Sequence, residues 1–268
     1  MFPYYLHIGH YSLHSHFFFE VTAYAVATVA YFVVRRRFGD ALSVPIRWAV
    51  LAAAVAGAAI GAKIFFLFED PKRTWNSLHD PAYLLGGKTI VGALIGGLIA
   101  VEVAKRYIGM RQSTGDLYAV PLALGIVIGR IGCFLTGLSD NTYGLATRLA
   151  WGVDFGDGTL RHPTQLYEIA YLLFLVPVLW LILDSIARAN CQTLTSPGSR
   201  WATVFVPGDA FKFFMVAYAL FRLLCDFIKP YPRIFLGLGG IQWACILVLL
   251  YYSADIDRWF HRPVFSQA

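Results

Sequence analysis

The sequence predicts an all-α fold: a polytopic integral membrane protein with about seven transmembrane helices and a small extracytoplasmic cap. Three observations lead there. Of 268 residues, 58% are hydrophobic and 14% charged, with a mean hydropathy of +0.59, whereas a soluble domain carries roughly 25% charged residues. So little charge cannot cover a water-facing surface of ordinary size, and lipid must take its place. Apolar stretches approaching the ~20 residues of a spanning helix recur along the whole chain. The net charge of +6 comes from basic residues at the ends of those stretches, where they set topology, not from a stripe that would hold nucleic acid. The chain therefore reads as a single membrane domain over residues 1–268, with residues 138–162 as the cap.

The first span, Phe17–Val34, follows fifteen residues without Lys or Arg, so the basic region of a cleavable signal is missing and the span is retained. Ile46–Phe68 is the second. The third, Thr89–Ala104, is short, and Leu84–Val91 before it, with Gly86 and Gly87, suits a re-entrant loop. Leu117–Leu135, Pro163–Leu183, Phe211–Ile228 and the short Gly237–Tyr252 complete the set. Glycines four apart, Gly57 and Gly61, Gly92 and Gly96, Gly125 and Gly129, are expected to let helix backbones approach closely. The loop Ser139–Arg161 is long enough to be functional or to form a cap. With the N-terminus outside, the inner loops hold Arg35, Arg36, Arg37, Arg47, Lys105, Arg106, Arg111, Arg188, Arg200, Arg258 and Arg262. The outer loops then hold fewer: Lys72, Arg73, Arg148, Arg161, Lys229 and Arg233. The positive-inside rule favours that orientation.

Charges inside the spans carry the chemistry. Arg130, near the outer end of the fourth span, costs about 2.5–3.5 kcal/mol on insertion scales if it sits mid-helix. It reads either as an interfacial or paired arginine, or as a guanidinium fork for an anionic head group. Gly129 and Gly132 beside it would let a ligand reach the backbone. Tyr218, Arg222 and Asp226, four apart, put a phenol, a guanidinium and a carboxylate on one helix face. An internal Arg222–Asp226 salt bridge is the plainer account; a polar cavity with a ligand is the other. The string from Arg161 to Glu168 opens the fifth span, with His162 near its N-cap and Gln165 and Glu168 roughly on one face. Glu20, Lys63, Lys88 and Glu102 are uninformative one by one, and His14 and His16, before the first span, read as capping or solvent-exposed, or else as facing the same outer cavity. The cysteines, Cys133, Cys191, Cys225 and Cys245, stand in no CxxC or Cys/His spacing, so no metal, redox motif or cofactor is expected. Cys133, three residues after Arg130, reads first as a small apolar residue and second as a nucleophile.

Gly129-Arg130-Ile131-Gly132, a turn ending at Gly144, and Arg161-His162-Pro163-Thr164-Gln165-Leu166-Tyr167-Glu168 together resemble the signature of bacterial prolipoprotein diacylglyceryl transferases. The Tyr218, Arg222, Asp226 stripe resembles that family's late helix, whose last position is usually Glu. The Leu13-His14 entry and the Gly-rich third span fit as well. The resemblance implies a multi-pass enzyme of the bacterial cytoplasmic membrane. It would move the diacylglyceryl group of phosphatidylglycerol to the lipobox cysteine of a prolipoprotein and release glycerol phosphate. A sulfur attacks a carbon that bears a phosphate leaving group, which requires a thiolate and preorganised cations. Arg130 and Arg222 match the family's two key arginines and are the candidates for phosphate binding and leaving-group stabilisation. His162 is the candidate base, and Tyr218, Asp226, Arg161, Gln165, Glu168 and Gly129 are the candidate substrate-binding residues.

The chain departs from the family on one side. Val91-Gly92-Ala93 stands where family members usually carry His-Gly-Gly, whose histidine is a proposed base. Gly132-Cys133-Phe134 replaces Gly-Asn-Phe, and Thr136-Gly137-Leu138 replaces Asn-Gly-Glu. The acceptor is therefore a lipobox cysteine or a related thiol, amine or hydroxyl. A lipid-binding or lipid-transport protein of the same fold is the alternative.

Overall fold

The computed structural model describes residues 2–8, 10–40, 42–195 and 204–261. A hairpin leads in: β1 (Tyr5–Ile8) pairs antiparallel with β2 (Tyr11–His14), with Tyr5 opposite His14. Helices α1 (Ser15–Phe38) and α2 (Val44–Glu69) follow, then the short α3 (Pro71–Asn76) and α4 (Pro81–Gly86), then α5 (Ile90–Ile108) and α6 (Asp116–Thr136). A 3-10 turn (Gly137–Asp140) leads into a cap carrying β3 (Val153–Asp154) and β4 (Leu160–Arg161). Then come α7 (Thr164–Thr195), α8 (Asp209–Cys225), a 3-10 turn (Asp226–Ile228), α9 (Gly240–Tyr251) and α10 (Ser253–His261).

Among the described residues four helical segments are long and apolar enough to cross a membrane: Ser15–Phe38, Val44–Glu69, Asp116–Asp140 and Thr164–Ala189. The other three expected spans are helical but modified. α5 carries Glu102, Lys105 and Arg106 in its last two turns, α8 has 17 residues, and α9 has 12. Leu84–Val91 is not one irregular loop: α4 covers its first residues and α5 begins at Ile90.

The expected glycine packing is present between α2 and α5. A Cβ on Gly96 would lie 2.2 Å from the Gly57 carbonyl oxygen, and one on Gly61 would lie 2.3 Å from that of Gly92. The obstruction is backbone, so only glycine allows this approach. Gly132 does the same for α1 against α6, since its Cβ would meet Phe19 Cβ at 2.8 Å. α1 therefore fills the space at Gly132 that the sequence offered to a ligand, whereas Gly129 has open space in front of it.

The ends of the bundle differ. At one, Arg37 meets Asp184 at 3.3 Å, Arg35 and Arg47 share Asp40, and Arg258 pairs with Asp209 at 2.7 Å. Arg200 and Arg262, counted with that basic end, lie outside the described residues. At the other end the hairpin and cap close over α6 and α7: Phe2 packs on Phe134 and Phe155, and Phe155 is 1% exposed. The scattered ions find partners, Lys88 with Glu20 at 2.7 Å and Lys105 with Glu102 at 2.8 Å, while Lys63 donates to the Gly87 carbonyl.

Candidate active site

Three helices meet below the cap, each contributing ionised side chains to an apolar bundle. Arg130 lies two turns before the end of α6, Glu168 in the second turn of α7, and Tyr218 and Arg222 on α8, with Asp226 opening the 3-10 turn that continues it. Four-residue spacing stacks the last three on one face, and burial of that face turns them toward α6 and α7. All five side chains are buried, Glu168 completely and the two arginines to 5% exposure.

Glu168 is the hub. Its Oε2 lies 2.9 Å from Arg130 Nε and 3.7 Å from Arg222 Nη1, and its Oε1 accepts a 2.6 Å hydrogen bond from the Tyr218 hydroxyl. Arg222 Nη2 donates to Asp226 Oδ1 at 2.9 Å, so the internal salt bridge that the spacing allows does form. It is one edge of a larger network. Lys229, which the sequence assigns to an outer loop, is instead 2% exposed, with Nζ 3.9 Å from Asp226. Arg130, Arg222 and Lys229 thus gather around Glu168 and Asp226, with Glu69 a third carboxylate near them. Arg130 Nε and Glu168 Oε2 have each other as ion-pair partners, whereas Arg222 Nε and Asp226 Oδ2 are buried without a hydrogen bond. Such orphaned polar atoms are costly unless a ligand meets them.

The remaining expected residues divide. Gln165 is buried; its Nε2 donates to Thr142 Oγ1 at 3.1 Å and its Oε1 is unpartnered. Gly129 borders open space next to Arg130. Arg161 belongs to the cap: it pairs with Asp157 at 2.5 Å and lies over the Tyr143 ring. The Arg161 guanidinium in turn holds the Asp157 carboxyl below the usual carboxylate range. His162 is pinned between the cap and α7, its backbone exchanging hydrogen bonds with Gly144 and Leu145 and its Nδ1 lying 3.1 Å from the Tyr167 hydroxyl. Val91, which the resemblance sets in place of an imidazole, packs into the apolar core at 4% exposure.

Two residues that the sequence gave plainer roles stand beside Arg130. Cys133 is half-buried, and Arg130 Nη1 donates to its sulfur at 3.7 Å. His14 does cap α1, accepting from the His16 backbone N–H, but the His16 side chain turns to Asp140, with Nδ1 3.2 Å from Oδ1. The sequence signal for His16 was only its place at the start of the first span. Nothing in it pointed to Asp140.

The arrangement suits an anionic group next to a thiol: two guanidiniums sharing one carboxylate, with a sulfur on the far side of one of them. The family model described as Prolipoprotein diacylglyceryl transferase matches residues 3–255 of the chain. The chain is 29% identical over 219 residues to a phosphatidylglycerol–prolipoprotein diacylglyceryl transferase of Campylobacter lari, covering 76% of this chain and 73% of that one. With the enzyme of that name from Geobacter sulfurreducens it is 31% identical over 220 residues, 78% and 75% of the two chains. With that from Methylococcus capsulatus it is 32% identical over 197 residues, 70% and 64%. A match over nearly the whole length, on a fold that gathers the signature arginines around one glutamate, establishes that this chain belongs to the prolipoprotein diacylglyceryl transferase family.

Proposed function

We propose that this chain is a phospholipid-dependent membrane transferase that moves the diacylglyceryl group of phosphatidylglycerol to the thiol of a prolipoprotein lipobox cysteine. The observation that carries the reading is the convergence of Arg130 and Arg222 on Glu168. Two guanidiniums sharing one carboxylate have donors to spare, and planar forks of this kind suit phosphate oxygens. As the carbon–oxygen bond to phosphate breaks, charge builds on the departing oxygen. Donors already fixed in a dry site stabilise that charge without reorganisation. Glu168 and Tyr218 hold the arginines in place, Asp226 orients Arg222, and Gln165 and open-faced Gly129 border the lipid site. Arg161 and His162 form the cap wall, with His162 as the imidazole available to the acceptor side. We place the chain in the bacterial cytoplasmic membrane with seven membrane-embedded helices, N-terminus outside. α8 and α9 each pack one face on the core and leave Leu220, Leu224, Leu247 and Leu250 exposed for lipid, and the basic ends carrying Arg37, Arg47 and Arg258 face the cytoplasm.

The test is an incubation of purified protein with phosphatidylglycerol and a lipobox peptide, reading peptide mass and released glycerol phosphate. A diacylglyceryl mass gain is expected, with Arg130→Lys and Arg222→Lys each lowering the rate at least ~100-fold and His162→Ala testing the imidazole. Glycerol phosphate without modified peptide would point to another acceptor. Neither product, beside a working relative, would leave a lipid-binding protein.

A further inference from the structure

Gly132 brings α1 against α6, and the 3-10 turn after α6 folds back toward the same point. Three donor atoms of different chemistry meet there: a ring nitrogen of His16, the sulfur of Cys133 and a carboxylate oxygen of Asp140 all lie within 4.8 Å of one another. We propose that these three side chains bind one divalent metal ion of the zinc type, leaving a fourth position for the acceptor thiol. Imidazole, thiolate and carboxylate are zinc's protein ligands, and three of them with an open position make a reactive site, not a closed structural one.

The geometry separates this from a Cys–His–Asp catalytic triad. In a triad the imidazole uses one nitrogen for the acid and the other for the nucleophile. Here Nδ1 lies 3.2 Å from Asp140, an ion pair that a bound ion would replace. The other nitrogen, Nε2, faces Glu20 at 3.9 Å. A carboxylate behind the distal nitrogen is the support that metal-bound histidines commonly have. The rest of the surrounding shell is in place. Asp140 Oδ2 accepts from the Thr142 hydroxyl at 2.5 Å, and Thr142 is held by Gln165 and fixed through its carbonyl by Thr164. Arg130 Nη1 donates to Cys133 sulfur at 3.7 Å and holds that side chain in place. Thiolate and carboxylate together balance the charge of the ion.

The role of the fourth position rests on the transferase reading; the metal site itself does not. A thiol bound to the ion loses its proton to water and becomes a thiolate beside Arg130. Its lone pair forms the carbon–sulfur bond as the carbon–oxygen bond breaks, and that electron pair leaves on the phosphate. The ion would do the work for which Val91 leaves no imidazole.

The experiment loads the purified full-length chain with zinc or cobalt, removes the excess, and measures metal content and the cobalt spectrum. About one ion per chain is expected, with a sulfur-to-cobalt charge-transfer band that Cys133→Ser abolishes. His16→Ala and Asp140→Asn should weaken binding more than ~10-fold, and Thr142→Val, which leaves all three ligands, about 10-fold. Metal content no higher in wild type than in Cys133→Ser, or a cobalt spectrum without a sulfur band, overturns the site. If Cys133→Ser fails to fold, Thr142→Val decides: unchanged affinity counts against the site. Peptide modification is then measured before and after chelation. Bound metal with no modified peptide would sink the transferase reading and leave the metal site standing, while activity undiminished by complete metal removal would overturn the thiol role.

Discussion

Two sets of helices are held together by opposite means. α2 and α5 meet where side chains are missing: four glycines place backbone against backbone, and the atoms nearest those glycines are uncharged. α6, α7 and α8 meet through ionised side chains that an apolar bundle tolerates only when paired. The first contact needs no buried charge and brings the two backbones together. The second costs desolvation at every group, and buried ion pairs are weak evidence for stability. Their arrangement makes sense only if a ligand uses them. The difference separates scaffold from site without reference to any relative, and it can be tested by breaking each contact in turn.

Glu168→Gln should have the largest effect. It leaves two nearly buried guanidiniums facing a neutral amide, and removing one partner of a buried pair costs about 3–5 kcal/mol. The expected outcome is a lowered melting temperature in detergent together with loss of transfer activity per folded molecule. Gly96→Val comes next. Its Cβ would lie 2.2 Å from a backbone oxygen that no rotamer change can move, so overpacking of about 3 kcal/mol is expected. Activity per folded molecule should hold. If Gly96→Val lowers specific activity as far as Glu168→Gln does, the division between scaffold and site is wrong. Tyr218→Phe is milder still. It deletes one hydrogen bond to a carboxylate, worth about 1.5 kcal/mol, and should slow transfer modestly while the arginines stay paired through Glu168.

The same contrast explains what could be read from the sequence. The glycine seam was legible because it depends on spacing within each helix: Gly57 with Gly61, Gly92 with Gly96. The face carrying Tyr218, Arg222 and Asp226 was legible for the same reason. Glu168 appeared among the candidates, but not as the hub, because its partners come from helices far apart in the chain. Lys229 looked like a loop charge since it follows the sixth apolar stretch; the turn at Asp226–Ile228 folds it back under protein. His16, Cys133 and Asp140 were beyond reach of any local pattern, since metal-ligand spacings describe ligands on one motif and these come from three elements. Gly132 was read as room for a ligand, and only the packing shows that α1 takes that room.

The cap offers the smallest and sharpest comparison, because it contains an ion pair of the ordinary kind. Asp157, in the turn between β3 and β4, lies 2.5 Å from Arg161 on β4, with Asp157 in water. Exposed pairs contribute little, so Asp157→Asn should leave the melting temperature at neutral pH unchanged, unlike Glu168→Gln. A trace should remain at low pH. The guanidinium of Arg161 lowers the Asp157 pKa in the folded protein, so any stabilisation is present above the unfolded carboxyl value near 3.9 and is lost as pH falls through the lower folded value. Hydrogen exchange over residues 153–161, followed downward from about pH 5, should show protection fading below about pH 4 in the wild type and flat in Asp157→Asn. Equal fading in both would mean that the Asp157–Arg161 pair does not set the acid sensitivity of the cap.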